Sequence, residues 1–238
     1  MTVSLRACAD VRACDLGPAL VLVSYRTGSV QVLTGPSRHW WLQAARTGRV
    51  DEKAPVVEEL LAAGMVESQD EPASSWPLAI GALWEPNWGT HELPMGFSPS
   101  PGAPLFDHAL ATAGLLTVLT ASVVGRREKR MSRLVSLVRA ASKRARHSVT
   151  SQRAEQMVHA VRRLGAFSPL RTACLEESVA ATLALALTGC RVHWCHGVMA
   201  DPILLHAWIA VDGEPIAEPD STRKCVVLLE LPSTKEHT

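Results

Sequence analysis

The chain has 238 residues, a formal net charge of +1, 47% hydrophobic and 20% charged residues. This length allows one large or two small domains, each with its own hydrophobic core, and a charge near zero gives no general electrostatic reason to bind nucleic acid. Six Cys in a chain this long are too sparse for a disulfide scaffold, and the N-terminus lacks a basic segment followed by an apolar run. The sequence therefore predicts a cytoplasmic protein with reduced thiols.

Residues 1–68 predict a small module built from a β-hairpin and short helices. Two apolar runs, 19–25 and 30–33, flank the turn residues Arg26-Thr27-Gly28-Ser29, a pattern typical of a hairpin. One helix is predicted to start at Pro36, and a shorter one is predicted within residues 55–65. The sequence alone leaves open whether this module recognises a peptide or is a structural, winged-helix-like domain.

Residues 69–104 are predicted to be a linker, because seven prolines interrupt them. The segment also contains Trp76, Trp84 and Trp88, and a fully solvated linker rarely carries three Trp. Part of it is therefore expected to pack on a domain or on a bound peptide, and the sequence does not decide between these.

An uncharged apolar stretch covers residues 109–125 and is followed by Arg126-Arg127-Glu128-Lys129-Arg130. A membrane span with a basic flank is one interpretation. However, four Thr and Ser residues dilute the stretch, and a bilayer core of about 30 Å needs about 20 apolar residues. We predict a buried helix of a second domain at 105–238, with no stable membrane insertion.

The segment 126–163 is strongly basic, with twelve Lys or Arg residues and two Glu. Its apolar residues 134, 135, 137, 138 and 141 fit one stripe of a helix, which leaves Arg133, Arg139, Lys143, Arg144 and Arg146 on the outside. This face is either simply solvated or docks an acidic leader peptide or a partner enzyme. Motifs that read nucleic-acid bases are missing from this segment, so no nucleic-acid partner is predicted.

Cys174 is predicted to lie in the first turn of an apolar helix covering residues 175–187, with Thr172 as the N-cap. Glu176 and Glu177 in the same turn complement the helix dipole. Unpaired amide N–H groups at a helix N-terminus stabilise a thiolate. The position therefore favours a nucleophilic cysteine over a small buried hydrophobic residue, the ordinary alternative.

A histidine and two carboxylates follow in the order that a thiol hydrolase or acyltransferase needs. Strands are predicted at 191–199 and 204–211, and Asp212-Gly213 predicts a two-residue hairpin turn. His206 would then project from one strand, with Glu218 or Asp220 at the end of its partner. Such an acid fixes the tautomer of the His, as the third member of a triad does.

A second group of polar residues, Cys190, His193, Cys195 and His196, suggests a metal site at first sight. Structural zinc usually takes ligands from two separated knuckles, and on a strand His193 and Cys195 share one face whereas His196 points to the other. We therefore predict no metal ion, and the thiol chemistry calls for no cofactor.

Residues 155–220 resemble the B protein of lasso-peptide biosynthesis, a transglutaminase-like cysteine protease that removes the leader from a precursor peptide. The matching pieces are Arg162-Arg163-Leu164, Arg171-Thr172-Ala173-Cys174-Leu175, Ser178, Gly189, Trp194, Gly197-Val198 and His206-Ala207-Trp208-Ile209. The resemblance implies that Cys174 is the nucleophile and His206 the general base. The third member in that family is usually an Asp, whereas the nearest counterpart here is Glu218, ahead of Asp220.

The N-terminal strands and helices, ending in Leu-Ala-Ala-Gly-Met-Val at residues 61–66, resemble the PqqD-like precursor-recognition element. In that module a leader peptide adds as a strand to a sheet edge. Together the resemblances imply an α+β protein, with a winged-helix-like recognition module fused to a papain/transglutaminase-like cysteine peptidase. They also imply a precursor peptide as substrate and an ATP-dependent macrolactam synthetase as partner. A non-catalytic precursor carrier and a transglutaminase-type acyltransferase are the alternatives.

Overall fold

The computed structural model describes residues 4–48, 50–69, 76–81, 104–168 and 172–233. The chain divides into two compact units, Met1–Pro86 and Asn87–Thr238. Helices precede a separate antiparallel sheet in the second unit, so the predicted α+β class is confirmed there. Trp84, Trp88 and Arg171 lie outside the described residues.

Within its described residues, the N-terminal unit contains two small sheets and two helices. Its elements are β1 (Ser4–Ala7), β2 (Val11–Asp15), β3 (Ala19–Ser24), β4 (Val30–Thr34), α1 (Gly35–Thr47), α2 (Val56–Ala62), β5 (Val66–Gln69) and β6 (Ala79–Ile80). Strand β1 pairs with β5, and the second sheet has the order β4-β3-β2-β6. The predicted hairpin is confirmed, because β3 and β4 are antiparallel and Gly28 in their turn has a φ of 80°.

The core of this unit is built around three tryptophans. Trp76 packs edge-on against Trp41, with ring centroids 4.8 Å apart, and against Trp40, with centroids 5.5 Å apart. All three side chains are buried. Since Trp76 and β6 belong to the segment assigned to the linker, residues 76–81 of that segment pack within the N-terminal unit. Periodicity could not reveal this, because two-residue strands and single buried Trp residues carry no repeat.

The described part of the C-terminal unit, from residue 104 on, begins with four α-helices. They are α3 (Leu105–Val123), α4 (Arg130–Arg144), α5 (Ser151–Ala166) and α6 (Cys174–Leu187), with the short strand β7 (His147–Ser148) between α4 and α5. Asp107 of α3 is buried and accepts two hydrogen bonds from Arg153 of α5. A buried carboxylate needs such a partner, so this ion pair fixes α3 against α5.

Helix α6 is the central helix of the unit and carries Cys174 at its first residue. It contacts α3, α4, α5 and the sheet, which explains why it is apolar on nearly all sides. Its small residues allow close approach: a Cβ added to Gly114 of α3 would lie 2.5 Å from the carbonyl oxygen of Ala180. Gly114 therefore sets the distance between the two helices.

We expect Gly114→Ala to lower the free energy of unfolding by about 1–3 kcal/mol, the usual cost of forcing an extra methyl group into a packed interface. At an exposed helical site the same change would instead stabilise the protein by up to about 1 kcal/mol. Chemical denaturation measures the difference, and Leu116→Ala on the exposed face of α3 is the matched control. A stabilised Gly114→Ala variant would contradict this packing.

The sheet of the C-terminal unit follows α6. The short strand β8 (Cys190–Arg191) comes first, and the strands of the sheet are β9 (His193–Met199), β10 (Leu204–Val211), β11 (Glu214–Pro215) and β12 (Val226–Leu231). The order is β11-β10-β9-β12, all antiparallel, while β8 pairs with β7. The predicted strands and turn are confirmed, because Asp212 and Gly213 have φ values of 52° and 83°, as a tight hairpin requires.

Helices α3 and α4 differ from the sequence predictions in two respects. Helix α3 buries one face, but Leu105, Phe106, Leu116 and Val123 are exposed. Among the described helices it is the one that is long and apolar enough to cross a membrane by length and composition. In α4, Arg133 is half-buried instead of outward: it donates hydrogen bonds to the carbonyl oxygen of Ala121, in the last turn of α3, and to that of Arg126, just after this helix.

Candidate active site

Cys174 lies at the N-terminus of α6 and is half-buried. The N-cap is Ala173, with an extended backbone, so the prediction of Thr172 was wrong by one residue. Ala173 supplies no side-chain acceptor; the carboxylate of Glu176 instead accepts a hydrogen bond from the Ala173 amide. Glu176 is itself buried and paired with Arg130 of α4. The first turn is thus anchored by a carboxylate, not by a hydroxyl.

His206 lies on β10 and faces both Cys174 and Glu218. Its Nε2 donates a hydrogen bond to Oε2 of Glu218, at 2.7 Å, and the ring is hydrogen-bonded to the Cys174 side chain. Since Nε2 is taken by Glu218, Nδ1 is the nitrogen available to the thiol. The imidazole also stacks on Trp208, two residues along the strand, with ring centroids 5.7 Å apart. Stacking and hydrogen bond together define its orientation.

Glu218, not Asp220, is the carboxylate at His206. The Glu218 side chain is only 4% exposed, whereas Asp220 is exposed at the start of a short 3₁₀ helix, Asp220–Lys224. Strand alternation would place residues 218 and 220 on the same side; instead, Ala217 with a φ of 55° redirects the backbone just before Glu218, and the 3₁₀ helix begins at Asp220. The structure therefore brings together Cys174, His206 and Glu218, and it does not bring Asp220 to this group.

The electrostatics of the site favour a thiolate–imidazolium pair. Burial alone would raise the pKa of the Cys174 thiol, but hydrogen bonds from His206 and from the amides of Ala207 and Leu175, with the nearby positive charge, lower it overall. Burial opposes the charge on His206 as well, yet the hydrogen bonds with Cys174 and Glu218 raise its pKa to about 9. A protonated His206 at neutral pH therefore stabilises the thiolate form of Cys174, which is the nucleophilic form of the thiol.

We expect Cys174 to be alkylated at neutral pH before the other cysteines. Burial raises the pKa of Cys14 and Cys225 to about 11 and that of Cys195 to about 12. In His206→Ala the hydrogen bond and the positive charge of the imidazole are lost, while the burial that raises the pKa of Cys174 remains, so the rate at neutral pH should fall at least about tenfold. Peptide mapping after a timed exposure to iodoacetamide measures this. Equal labelling of Cys174 in both proteins would contradict the pairing.

Several supporting residues did not stand out as functional in the sequence. Ser178 of α6 accepts a hydrogen bond from the indole of the fully buried Trp194 on β9, at 3.0 Å, which ties the Cys174 helix to the sheet. Gly197 lies opposite His206 in the register of β9 and β10, and a Cβ there would lie 3.0 Å from the Trp208 ring. Ser178 and Gly197 are among the residues that carry the family resemblance, and this resemblance was the sequence signal that could have identified them as supporting residues.

The residues considered for a metal site do other work. His193 bonds to Glu230 at 2.7 Å, Cys195 packs with Trp208 in a small core cluster, and His196 stacks on Trp194. Burial lowers the pKa of His196 to about 4. Within the described ranges, no group of three His, Cys, Asp or Glu side chains is placed to hold a metal ion.

Comparison with known proteins identifies the domain that carries this site. Residues 115–230, just under half of the chain, match a family model described as the transglutaminase-like superfamily. Comparisons with curated proteins and with solved structures gave no match. The matched range includes Cys174, His206 and Glu218 in the order nucleophile, imidazole, acid. Such domains are compatible with cysteine-protease or acyltransferase activity. Residues 115–230 of this chain therefore form a transglutaminase-like domain.

Proposed function

We propose that this protein is a leader peptidase, which binds a ribosomally made, lasso-type precursor peptide and cleaves the leader from the core. The observation that carries the proposal is the buried Glu218 hydrogen-bonded to His206, with His206 paired to a thiol whose pKa is lowered. Burying a carboxylate and a charged imidazole costs stability. Their presence beside the thiol therefore favours a catalytic role over a purely binding one.

In the proposed reaction, Sγ of Cys174 attacks the scissile carbonyl carbon, and its electron pair forms the C–S bond. The backbone N–H of Cys174, with a second donor, stabilises the oxyanion. The imidazolium of His206 gives its proton to the amide nitrogen as the C–N bond breaks, which releases the C-terminal half of the peptide as an amine. Neutral His206 then takes a proton from water, which hydrolyses the thioester and restores the thiolate–imidazolium pair. Glu218 orients His206 throughout.

The N-terminal unit is proposed to hold the leader, like a PqqD-like recognition element. Its strand β4 is at the edge of the sheet, paired on one side with β3. Val30 and Val32 of that strand are 41% and 47% exposed, so an added strand would find both unpaired backbone groups and apolar side chains. This feature supports the assignment of a peptide-binding role to the unit.

Acyl transfer is the second candidate function, and the family match is the observation that favours it. The same thioester would then react with an amine instead of water. The product depends on whether water or an amine reaches the thioester. The reaction with the precursor therefore has to separate hydrolysis from transfer by mass.

The test is to incubate the purified full chain with a leader–core precursor encoded near it, with and without a primary amine, and to follow the masses. Two fragments whose masses sum to precursor plus water would support the peptidase. A product that has gained the amine would support the transferase. An intact precursor that nevertheless binds would overturn both in favour of a non-catalytic carrier. An ATP-dependent macrolactam synthetase, which closes a ring on the freed core amine, is the proposed partner, and the cytoplasm the proposed location.

A further inference from the structure

Arg162 of α5 contacts the segment that carries Glu218 and also the helix that carries Cys174. Its Nη2 donates a hydrogen bond to Oε1 of Glu218, the oxygen that does not face His206. Its Nη1 donates to the carbonyl oxygen of Ala217 at 2.5 Å. Its Nε lies 3.4 Å from Oε2 of Glu177. One guanidinium therefore bridges the loop that carries the acid and the helix that carries Cys174.

The contact with Glu218 has an electrostatic consequence. A carboxylate that is 4% exposed cannot be stabilised by bulk water. The cavity between Cys174, Glu218 and Arg162 has a volume of about 10 Å³, about the space that one water needs. The guanidinium is thus the main compensating charge on Oε1, and it leaves Oε2 free to accept the hydrogen bond from His206.

The contact with Ala217 has a geometric consequence. Ala217 adopts a left-handed backbone with φ of 55°, which is unfavourable for a residue with a side chain. The hydrogen bond from Arg162 to its carbonyl oxygen stabilises this conformation, and this conformation points Glu218 inward. Glu177, three residues after Cys174, attaches the same guanidinium to the first turn of α6.

We propose that Arg162 is a positioning residue, which holds Glu218 against His206 and so maintains the thiolate–imidazolium pair at Cys174. Arginine suits this role better than lysine because its planar fork presents several donors at fixed angles. The inference rests on the proposed function only in assigning catalysis to this site. The contacts themselves predict a measurable property of the thiol that needs no peptide substrate.

The test measures the rate at which iodoacetamide alkylates Cys174 as a function of pH in the full chain. In Arg162→Gln we expect the rate at neutral pH to fall about tenfold, because His206 loses its fixed acid. Arg162→Lys should recover part of the loss, since it keeps the charge but not the fork. Arg163→Gln is the matched control, as it removes the same charge from the next residue of the helix and should leave the rate unchanged.

A double-mutant cycle separates positioning from a general structural effect. If Arg162 acts through Glu218, then Arg162→Gln should change the alkylation rate less than about threefold in a Glu218→Gln background, although each single variant loses about tenfold. The proposal would be overturned if the losses in alkylation rate multiply in the double variant, or if Arg162→Gln has the same pH profile of alkylation as the wild type. If the wild-type chain fails to cleave any precursor but the cycle behaves as expected, the peptidase proposal fails and the role of Arg162 stands.

Discussion

Cys174→Ala should abolish precursor cleavage while leaving precursor binding intact. The sulfur is the only atom proposed to bond to the substrate, and losing a triad nucleophile removes on the order of 10⁶ of the rate of such an enzyme. Binding is assigned to the N-terminal unit, so it should not depend on the thiol. The fold should also persist, because Cys174 is only half-buried and lies at the end of its helix, where losing one sulfur atom leaves no large cavity.

The measurement combines product masses with a binding isotherm for the same labelled precursor. Cys190→Ala is the matched control, because this half-buried cysteine lies on β8, which pairs with β7 and not with the strand that carries His206. It should cleave at the wild-type rate. Cleavage by Cys174→Ala at more than a trace rate would eliminate the assigned nucleophile.

Glu218→Gln should lower kcat by a factor on the order of 10²–10⁴, the range for a positioned acid–base group, with KM nearly unchanged. The glutamine keeps the size of the side chain but lacks the charge that, together with the hydrogen bond to Cys174, raises the pKa of His206 to about 9 against the effect of burial. Because activity needs protonated His206, it should be lost in the wild type as the pH rises through about 9. In Glu218→Gln this alkaline limit should move to lower pH.

Asp220→Asn is the isosteric comparison, two residues along the same chain. Asp220 is exposed and outside the hydrogen-bonded group, so its kcat and alkaline limit should match the wild type within about twofold, as is usual for surface changes. Equal effects of the two substitutions, large or small, would remove Glu218 from the role of the acid. Initial rates measured from about pH 5 to 10 give both kcat and the alkaline limit of activity.

The features that were predictable from the sequence are those that depend on short stretches of chain. The hairpin of β3 and β4 follows from two apolar runs around a glycine turn, and the tight turn at Asp212-Gly213 from its residue types. Cys174 at a helix start follows from a helix-forming run after a break. In contrast, the N-cap was misplaced because the cap acceptor is Glu176, reaching back from the third helical position. A side-chain interaction of this kind has little signature in a single sequence.

The order of nucleophile, imidazole and acid was predictable from the amino-acid sequence, because residue types and local periodicity lie along the chain. The choice between Glu218 and Asp220 was not, since both lie within three residues on the same strand-to-turn segment. The fold selects Glu218: the left-handed backbone of Ala217 and the guanidinium of Arg162, 56 residues earlier in the chain, direct it into the site. That choice depends on contacts between segments distant in the sequence, and such contacts form only when the chain packs into its tertiary structure.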